Sequence, residues 1–466
     1  VAWTAGRHDR LSAALSIFKP IRFGRPPARF WHSDLGLRAC FGVRISGFGF
    51  LPPLSPWNER NFMIALLEPA VVDKATTLET LLETPAGKRM MTCIQCGTCA
   101  GTCPYGDHMD FAPRLVINML RGGFLDEVIK SDSLLRCVAC YACMAKCPRG
   151  IRLTDVLLPL VKEQVLINRT EMPAEFQKSL ENMNRYGNPM GESPRKRAAW
   201  TATAGTKIPL IAEVKREVDV LWFVECYTSF YARGQDNSRA VAKLFHALGV
   251  DFAILGNDEK CAGDCGQMTW ESGLFESLAE YNVKLFNKYK FRRLVTGDAH
   301  AYNAFRFRYP MFGLTQPAEH TTQFFARHLD QLKPRLSKPL NLTVTYHDAC
   351  CLGRATGSYD EGRALLQAIP GVRLVEMVHK RVNSICCGGG GGGMWLDTFY
   401  KQKGMERLSE RRVKEAIATG ADVLAVSCPY EISRFEDALK VMPHDQPMVV
   451  RDVVELLAES LAQKAL

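Results

Sequence analysis

Apolar residues recur along this chain with two different periods. Over residues 216–466, short apolar runs alternate with segments whose apolar positions fall three and four apart. Residues 218–224 predict a buried strand, and Val241, Leu244, Phe245 and Leu248 mark a helix that Gly249 stops. Residues 252–255 predict a second strand, Leu278, Tyr281 and Leu285 a second helix, and residues 294–296 a third strand. The pattern then begins again. Strand 342–346 is followed by a helix on Leu365, Leu366 and Ile369 that ends at Pro370 and Gly371, and then by strand 372–377. A helix on Val413, Ala416 and Ile417 stops at Gly420, ahead of strand 423–426. Strands alternating with helices imply parallel sheets, here in two Rossmann-like halves, 216–335 and 336–466.

The first part of the chain is patterned differently. Residues 63–180 predict helices: Ile64, Leu66 and Leu67; Leu78, Leu81 and Leu82; Leu115, Met119 and Leu120, broken at Gly122–Gly123; and an apolar helix over 151–166. Residues 181–215 read as an irregular linker through Tyr186, Gly187, Asn188 and Pro189, with the basic run Arg195, Lys196 and Arg197 as a solvated face. Residues 1–62 mix Arg, Pro, Gly and Trp without a sustained period and form an irregular leader, in which Cys40 has no assigned role. The composition break at Met63 leaves two readings: a targeting or partner-binding arm, or a non-native extension of a unit that begins at Met63. The expected fold class is therefore mixed α+β and α/β.

Composition narrows the chemistry. At 466 residues the chain has room for two or three domains. No window approaches eighteen consecutive apolar residues, and no secretion signal is evident. Seventeen cysteines in that setting point to metal binding or redox chemistry in a reducing cytoplasm rather than to a disulfide framework. Of the net charge of +10, residues 1–62 hold +6, from nine Lys/Arg against Asp9, Asp34 and Glu59, which leaves +4 for the rest. No basic helix or basic–aromatic patch marks a nucleic-acid partner.

Eight cysteines carry the most specific signal. Cys93, Cys96, Cys99 and Cys103, followed by Pro104, recur with the same spacing as Cys137, Cys140, Cys143 and Cys147, followed by Pro148. Such a run gives three thiolates to one 4Fe–4S cluster, while its fourth, before the Pro, ligates the other. One cluster is thus expected on Cys93, Cys96, Cys99 and Cys147, and its partner on Cys137, Cys140, Cys143 and Cys103. Two zinc sites would need paired rather than triplet cysteines. Residues 63–180 are accordingly a helical ferredoxin-type module with two clusters.

More cysteines stand at predicted strand ends. Cys226, Cys261 and Asp298 in the first half correspond to Cys350, Cys386 and Cys428 in the second, at offsets of 124, 125 and 130 residues. Groups at the carboxyl ends of parallel strands converge in a crevice. The glycine run 388–393 reads as a flexible loop or as backbone brought close to a cluster, with Gly388 and Gly389 aiming N–H groups at sulfur; a phosphate nest is the weaker third reading, since no Lys-Ser/Thr follows.

Cys350, the Cys386–Cys387–Gly388 triplet and Cys428–Pro429 resemble the CCG cysteine-rich domain of heterodisulfide reductases. The segments around His347–Asp348–Ala349–Cys350, Gly187–Asn188–Pro189 and Asp110–Phe111–Ala112–Pro113 are similar to that family as well, and the resemblance covers about residues 88–455. It implies a duplicated CCG domain after the ferredoxin module, and a five-thiolate nest for a noncubane 4Fe–4S cluster in a complete half. The second half has four of the five thiolates, Cys350, Cys386, Cys387 and Cys428, with Glu431 at the last position and Cys351 as a substitute. The first half is degenerate. Ala262 breaks its pair and Asp298 and Ala301 replace later ligands, which leaves Cys265 and His300 as spare candidates and predicts no cluster there.

The leading expectation is an oxidoreductase subunit, catalytic within a complex. A third 4Fe–4S cluster in the second half would act there on a thiol or disulfide, with Cys386 and Cys387 as reacting groups and His347 or His300 as proton source. The alternatives are an electron relay for a flavin-dependent glycolate or lactate dehydrogenase, and a scaffold joining a flavoprotein to a membrane quinone partner. No strand–GxGxxG–helix flavin fingerprint appears, so flavin is expected on a partner. The expected location is cytoplasmic, at most peripheral to the inner face of the membrane.

Overall fold

Continuous runs of β-branched and aromatic residues build strands buried on both faces, which only a sheet covered by helices on each side can accommodate. The computed structural model describes residues 78–168, 172–268, 271–443 and 447–462. The leader 1–62, Cys40 and Met63 lie outside the described residues. In the first half, β1 (Val218–Phe223), β2 (Phe252–Ile254), β3 (Phe291–Thr296) and β4 (Ala318–His320) form a parallel sheet in the order β2-β1-β3-β4. The second half repeats it with β5 (Thr343–Tyr346), β6 (Arg373–Val375), β7 (Val423–Val426) and β8 (Val449–Asp452), in the order β6-β5-β7-β8. In both sheets the first strand lies between the second and the third, so the chain reverses its direction of travel across the sheet. The loops leaving β1 and β3, and those leaving β5 and β7, therefore diverge and open a crevice at the carboxyl end.

The two halves share a core. Trp222 of β1 sets its ring edge-on to Phe245, Phe252 and Trp200, all buried. The helix Ala232–Leu248 of the first half packs on Val453–Ser460 of the second. Arg233 fastens that join, bonding Glu436 at 2.8 Å, the Val450 carbonyl at 3.1 Å, and Glu455. Gly249 closes the helix in the left-handed conformation, φ 67°, where its position in the sequence predicts a stop.

The amino-terminal module is helical. Pro113–Arg121 and Leu125–Lys130 flank the Gly122–Gly123 break, and the expected helix over 151–166 opens with a π turn, Leu153–Leu157, before Leu158–Asn168. Its apolar side chains, Leu120, Leu135, Val138 and Leu157 among them, belong to the same hydrophobic cluster as Leu424, Val426 and Phe435 of the second half.

Three expectations need correction. The boundary at 180/181 falls inside the helix Ala174–Tyr186. The segment after it is no loose linker: Asn188 is fully buried, and Cys261 donates its N–H to the Gly187 carbonyl at 2.8 Å. Arg195 and Lys196 are solvated, but Arg197 is 2% exposed and forms a 2.8 Å ion pair with Glu259. The edge strands β4 and β8 carry no apolar signal, because three or four residues that include Glu319, or Arg451 and Asp452, give no apolar run.

Candidate functional site

The eight cysteines of the helical module lie on two equivalent turns. Gln95 and Gly97 have φ of 56° and 83°, and Ala139 and Tyr141, 44 residues on, have φ of 48° and 62°. Three of these four are not glycine, and a left-handed non-glycine residue costs about 1–3 kcal/mol unless its surroundings require it. The turns lead into the short helices Thr98–Thr102 and Ala142–Ala145. A cavity of about 410 Å³ is lined by Cys93, Cys96, Cys99 and Cys147, and another of about 520 Å³ by Cys103, Cys137 and Cys140; Cys143 borders both. Each fourth cysteine thus faces the triplet of the other run. Burial, then the Cys93 sulfur, push the Cys99 thiol up to about 11, while burial, then Cys140, push Cys103 up. Backbone N–H groups of Gln95 and Ile151 stand 3.4 Å from the Sγ atoms of Cys93 and Cys147.

In the second half, β5 ends just before His347, and Cys350 and Cys351 open the helix Cys350–Thr356. Cys386 and Cys387 follow β6, and Cys428 caps the helix Pro429–Val441 after β7. All five cysteines are at most 5% exposed. The N–H groups of Gly388 and Gly389 lie 3.3 and 3.4 Å from the Sγ atoms of Cys386 and Cys387. Cys350, Cys351, Cys387 and Cys428 line a cavity of about 430 Å³ together with His300, Glu431 and Arg434. Cys386 instead turns toward the helical module, hydrogen-bonding the sulfurs of Cys140, Cys350 and Cys387. Those bonds hold Cys140 down to about 7 and Cys387 to about 6, with His347 adding to the second effect.

His347 is fully buried. Its Nδ1 accepts from Arg412 Nε at 3.0 Å, and its Nε2 lies 3.1 Å from Glu431 Oε1 and beside Cys387. Arginine cannot act as an acceptor, so Nδ1 carries the lone pair and Nε2 the proton. Burial, then hydrogen bonding with Cys387, oppose each other on this ring, and the net effect lowers its pKa. His347 is therefore a neutral imidazole that presents one N–H to Cys387 and Glu431.

The glycine run is the seam between the second half and the helical module, and all six residues are buried. A Cβ on Gly391 would meet the Cys137 carbonyl oxygen at 2.4 Å, and one on Gly390 the Val138 carbonyl oxygen at 2.7 Å. Arg354 ties the seam, donating to the carbonyls of Cys140 and Ser384 at 2.7 Å each. Within the module, Lys162 braces the Cys137 turn, donating to its carbonyl at 3.2 Å.

The first half places Glu225, Cys226 and Cys261 within 4.8 Å of one another. Glu225 has φ 84° and caps the helix Cys226–Phe230. Arg197 Nη2 stands 3.1 Å from Cys226 Sγ, so a guanidinium abuts the retained thiol. Asp298 Oδ1 lies 3.8 Å from Cys428 Sγ. The side chain of Cys265 lies outside the described residues.

The halves also interlock. His300 and Tyr430 stand two residues beyond Asp298 and Cys428, at the same offset of 130. Tyr430 donates to Glu225 Oε2 at 3.0 Å in the first half, and His300 enters the second half's cavity beside Cys350 and Cys351. Arg197, Glu225, Glu259, Arg412 and Arg434 join these sites although no sequence motif marks them. A Glu directly before a strand-end cysteine is the one local signal, and it serves Glu225 alone.

Comparison with known proteins agrees with this layout. Residues 76–152 match the 4Fe-4S dicluster domain, and residues 220–306 and 344–430 each match the CCG cysteine-rich domain. The probable iron-sulfur-binding oxidoreductase FadF of Bacillus subtilis is 34% identical over 76% of this chain and 49% of its own length. The EtfAB:quinone oxidoreductase of Syntrophomonas wolfei is 28% identical over 79% of this chain and 58% of its own. A component of the dihydromethanophenazine:CoB--CoM heterodisulfide reductase of Methanosarcina barkeri is 31% identical over 60% of this chain and 66% of its own. The chain thus spans about half to two thirds of the length of these curated relatives.

Proposed function

We propose that this iron–sulfur oxidoreductase-type chain, with its 4Fe–4S dicluster domain and two CCG domains, is the subunit that relays electrons between a flavoprotein and a quinone-linked partner. The observation that carries this reading is the sulfur contact at the seam. Cys386 interacts with Cys140, and the glycine run that follows it packs against the Cys137–Val138 backbone, so the second half meets the dicluster module at its cysteines. Burial of all five second-half cysteines favours electron transfer over chemistry on an incoming substrate.

The donors fit iron–sulfur clusters. Each of the three cavities is lined by at least four cysteines, and N–H groups are directed at sulfur beside the Cys93 cavity and that of the second half. Among the described residues, Arg434 Nε and Nη2 are buried without a hydrogen-bond partner on the wall of the second half's cavity, as an anionic guest would require. We assign Cys93, Cys96, Cys99 and Cys147 to one cluster, Cys103, Cys137, Cys140 and Cys143 to the next, and Cys350, Cys386, Cys387 and Cys428 to a third, for which the Cys386 thiol must turn from Cys140 toward the cavity that the other three line. Clusters bound there supply reversible one-electron chemistry. The protein's own groups set the conditions for it. Gly388 and Gly389 donate to thiolate sulfur, Arg354 fixes the seam, Lys162 braces the Cys137 turn, and Arg412 holds the His347 N–H toward Cys387.

The partner assignment follows a relative whose name pairs EtfAB with quinone. Among the described residues no helix is long and apolar enough to cross a membrane. We therefore place the flavin and the membrane contact on partners, the chain at the inner face, and turnover in the assembled complex.

A second reading, thiol–disulfide chemistry at Cys386 and Cys387, is favoured by His347, Cys387 and Glu431 lying within 4.8 Å of one another, since that reaction consumes protons and electron relay does not. Anaerobic, dithionite-reduced protein mixed rapidly with a short-chain quinone or with glutathione disulfide separates the two. Relay predicts fast return of the oxidised absorbance with quinone and none with disulfide. Fast reoxidation by disulfide that disappears in Cys386→Ser would overturn it.

A further inference from the structure

The first half gives its third-strand histidine to the site of the second. His300 follows β3 on the helix Ala299–Phe307, in the half whose own cysteine set is broken by Ala262 and Ala301. Its ring nitrogen and the sulfurs of Cys350 and Cys351 lie within 4.8 Å of one another, all three residues being buried. Those separations let the ring nitrogen reach an iron held by Cys350, at ligand distances of about 2.0–2.3 Å, after small side-chain shifts.

The orientation of the ring is specific. His300 Nδ1 lies 3.6 Å from Asp264 Oδ2, a carboxylate that is 4% exposed. The other nitrogen, Nε2, lies on the side of the glycine run, 3.8 Å from where a Cβ on Gly390 would stand. A histidine ring set between a buried carboxylate beside its Nδ1 and two buried sulfurs has the arrangement of a metal ligand with its orienting partner. The duplication supplies a reason for the crossing. His300 and Tyr430 occupy equivalent positions, and each reaches the opposite half, Tyr430 to Glu225 and His300 to Cys350 and Cys351.

We propose that His300 is an iron ligand of the second half's cluster, supplied across the interface by the first half and oriented by Asp264. It would complete a set in which Glu431 occupies the position of a further cysteine. The proposal rests on the reading above that the second half holds a cluster. It also gives the degenerate half a role, which is to complete its neighbour's site.

The test is pulsed electron paramagnetic resonance on the full-length holoprotein, grown with and without 15N-histidine. The expected result is a nitrogen coupling on the second half's signal that changes with the isotope. It should be lost in His300→Ala and kept in Cys351→Ser. The dicluster signals, unchanged in each variant, report that the protein has folded. Asp264→Asn should keep the coupling but raise that cluster's reduction potential, because a less basic imidazole donates less charge to iron. A second-half signal in the wild type without histidine coupling overturns the ligand assignment and leaves the cluster standing. Absence of that signal overturns both, and an unchanged potential in Asp264→Asn removes Asp264 from the proposal.

Discussion

Arg197 shows how far one buried charge can depart from its sequence context. Its guanidinium pairs with Glu259 at 2.8 Å, while Glu259 also accepts the Val224 and Glu225 N–H groups at 2.9 and 2.8 Å. Removing the cation leaves a carboxylate buried without its counter-charge, a loss that costs about 3–5 kcal/mol. Arg197→Met should therefore lower the melting temperature by several degrees, and adding Glu259→Gln should recover much of the loss. Iron content should not change, because the guanidinium rather than a metal abuts Cys226. Melting of Arg197→Met within a degree of the wild type would refute this account. The sequence could not show the role of Arg197. It ends a basic triplet whose other two members are solvated, and its partner lies 62 residues away. The strand-end cysteines were easier to read, because Cys226, Cys350 and Cys428 stand within four residues of the end of an apolar strand and recur at a near-constant offset.

Elements were legible where burial on two faces makes the apolar run continuous, as in β7 and in the carboxyl-terminal parts of β1 and β3. The edge strands β4 and β8 were not, since an edge tolerates the charges that hide it. The glycine run is the element whose first two readings the structure separates. It is packed, and its lack of side chains lets the second half's backbone approach the Cys137–Val138 turn. Gly391→Ala places a Cβ 2.4 Å from the Cys137 carbonyl oxygen at a residue with φ 57°. The overpacking should cost about 1–3 kcal/mol and push the seam apart. Gly404→Ala is the control, being left-handed as well (φ 66°) but with nothing within 4 Å of the added Cβ. Gly391→Ala should slow reoxidation of the dicluster module through the second half in rapid-mixing experiments, whereas Gly404→Ala should affect stability alone. Equal electron-transfer rates in the two variants would show that the Cys140–Cys386 contact does not carry the current.

At the scale of the molecule, two halves share one topology but not one set of strand-end residues. Both sheets bring strand-end residues to a crevice, and the duplication makes Cys261 and Cys386 equivalent. What surrounds them differs. Cys386 stands among the sulfurs of Cys140, Cys350 and Cys387, with the Gly388 N–H directed at it. Cys261 has Ala262 where its pair would be, and the facing thiol, Cys226, is 3.1 Å from a guanidinium. A cation in that position repels iron, and two thiolates with one carboxylate make a poor cluster site beside a second half rich in sulfur. The holoprotein should therefore carry about twelve iron atoms, eight in the dicluster module and four in the second half. Cys386→Ser should lower the total to about eight and shift, without abolishing, the signal of the cluster that borders Cys140. Cys261→Ser should keep all the iron and act only through packing. Iron analysis, with the dicluster resonance signals as the measure of intact fold, decides between them. Equal iron loss in the two variants would mean that the first half also binds a cluster, and that Arg197 moves aside when it does.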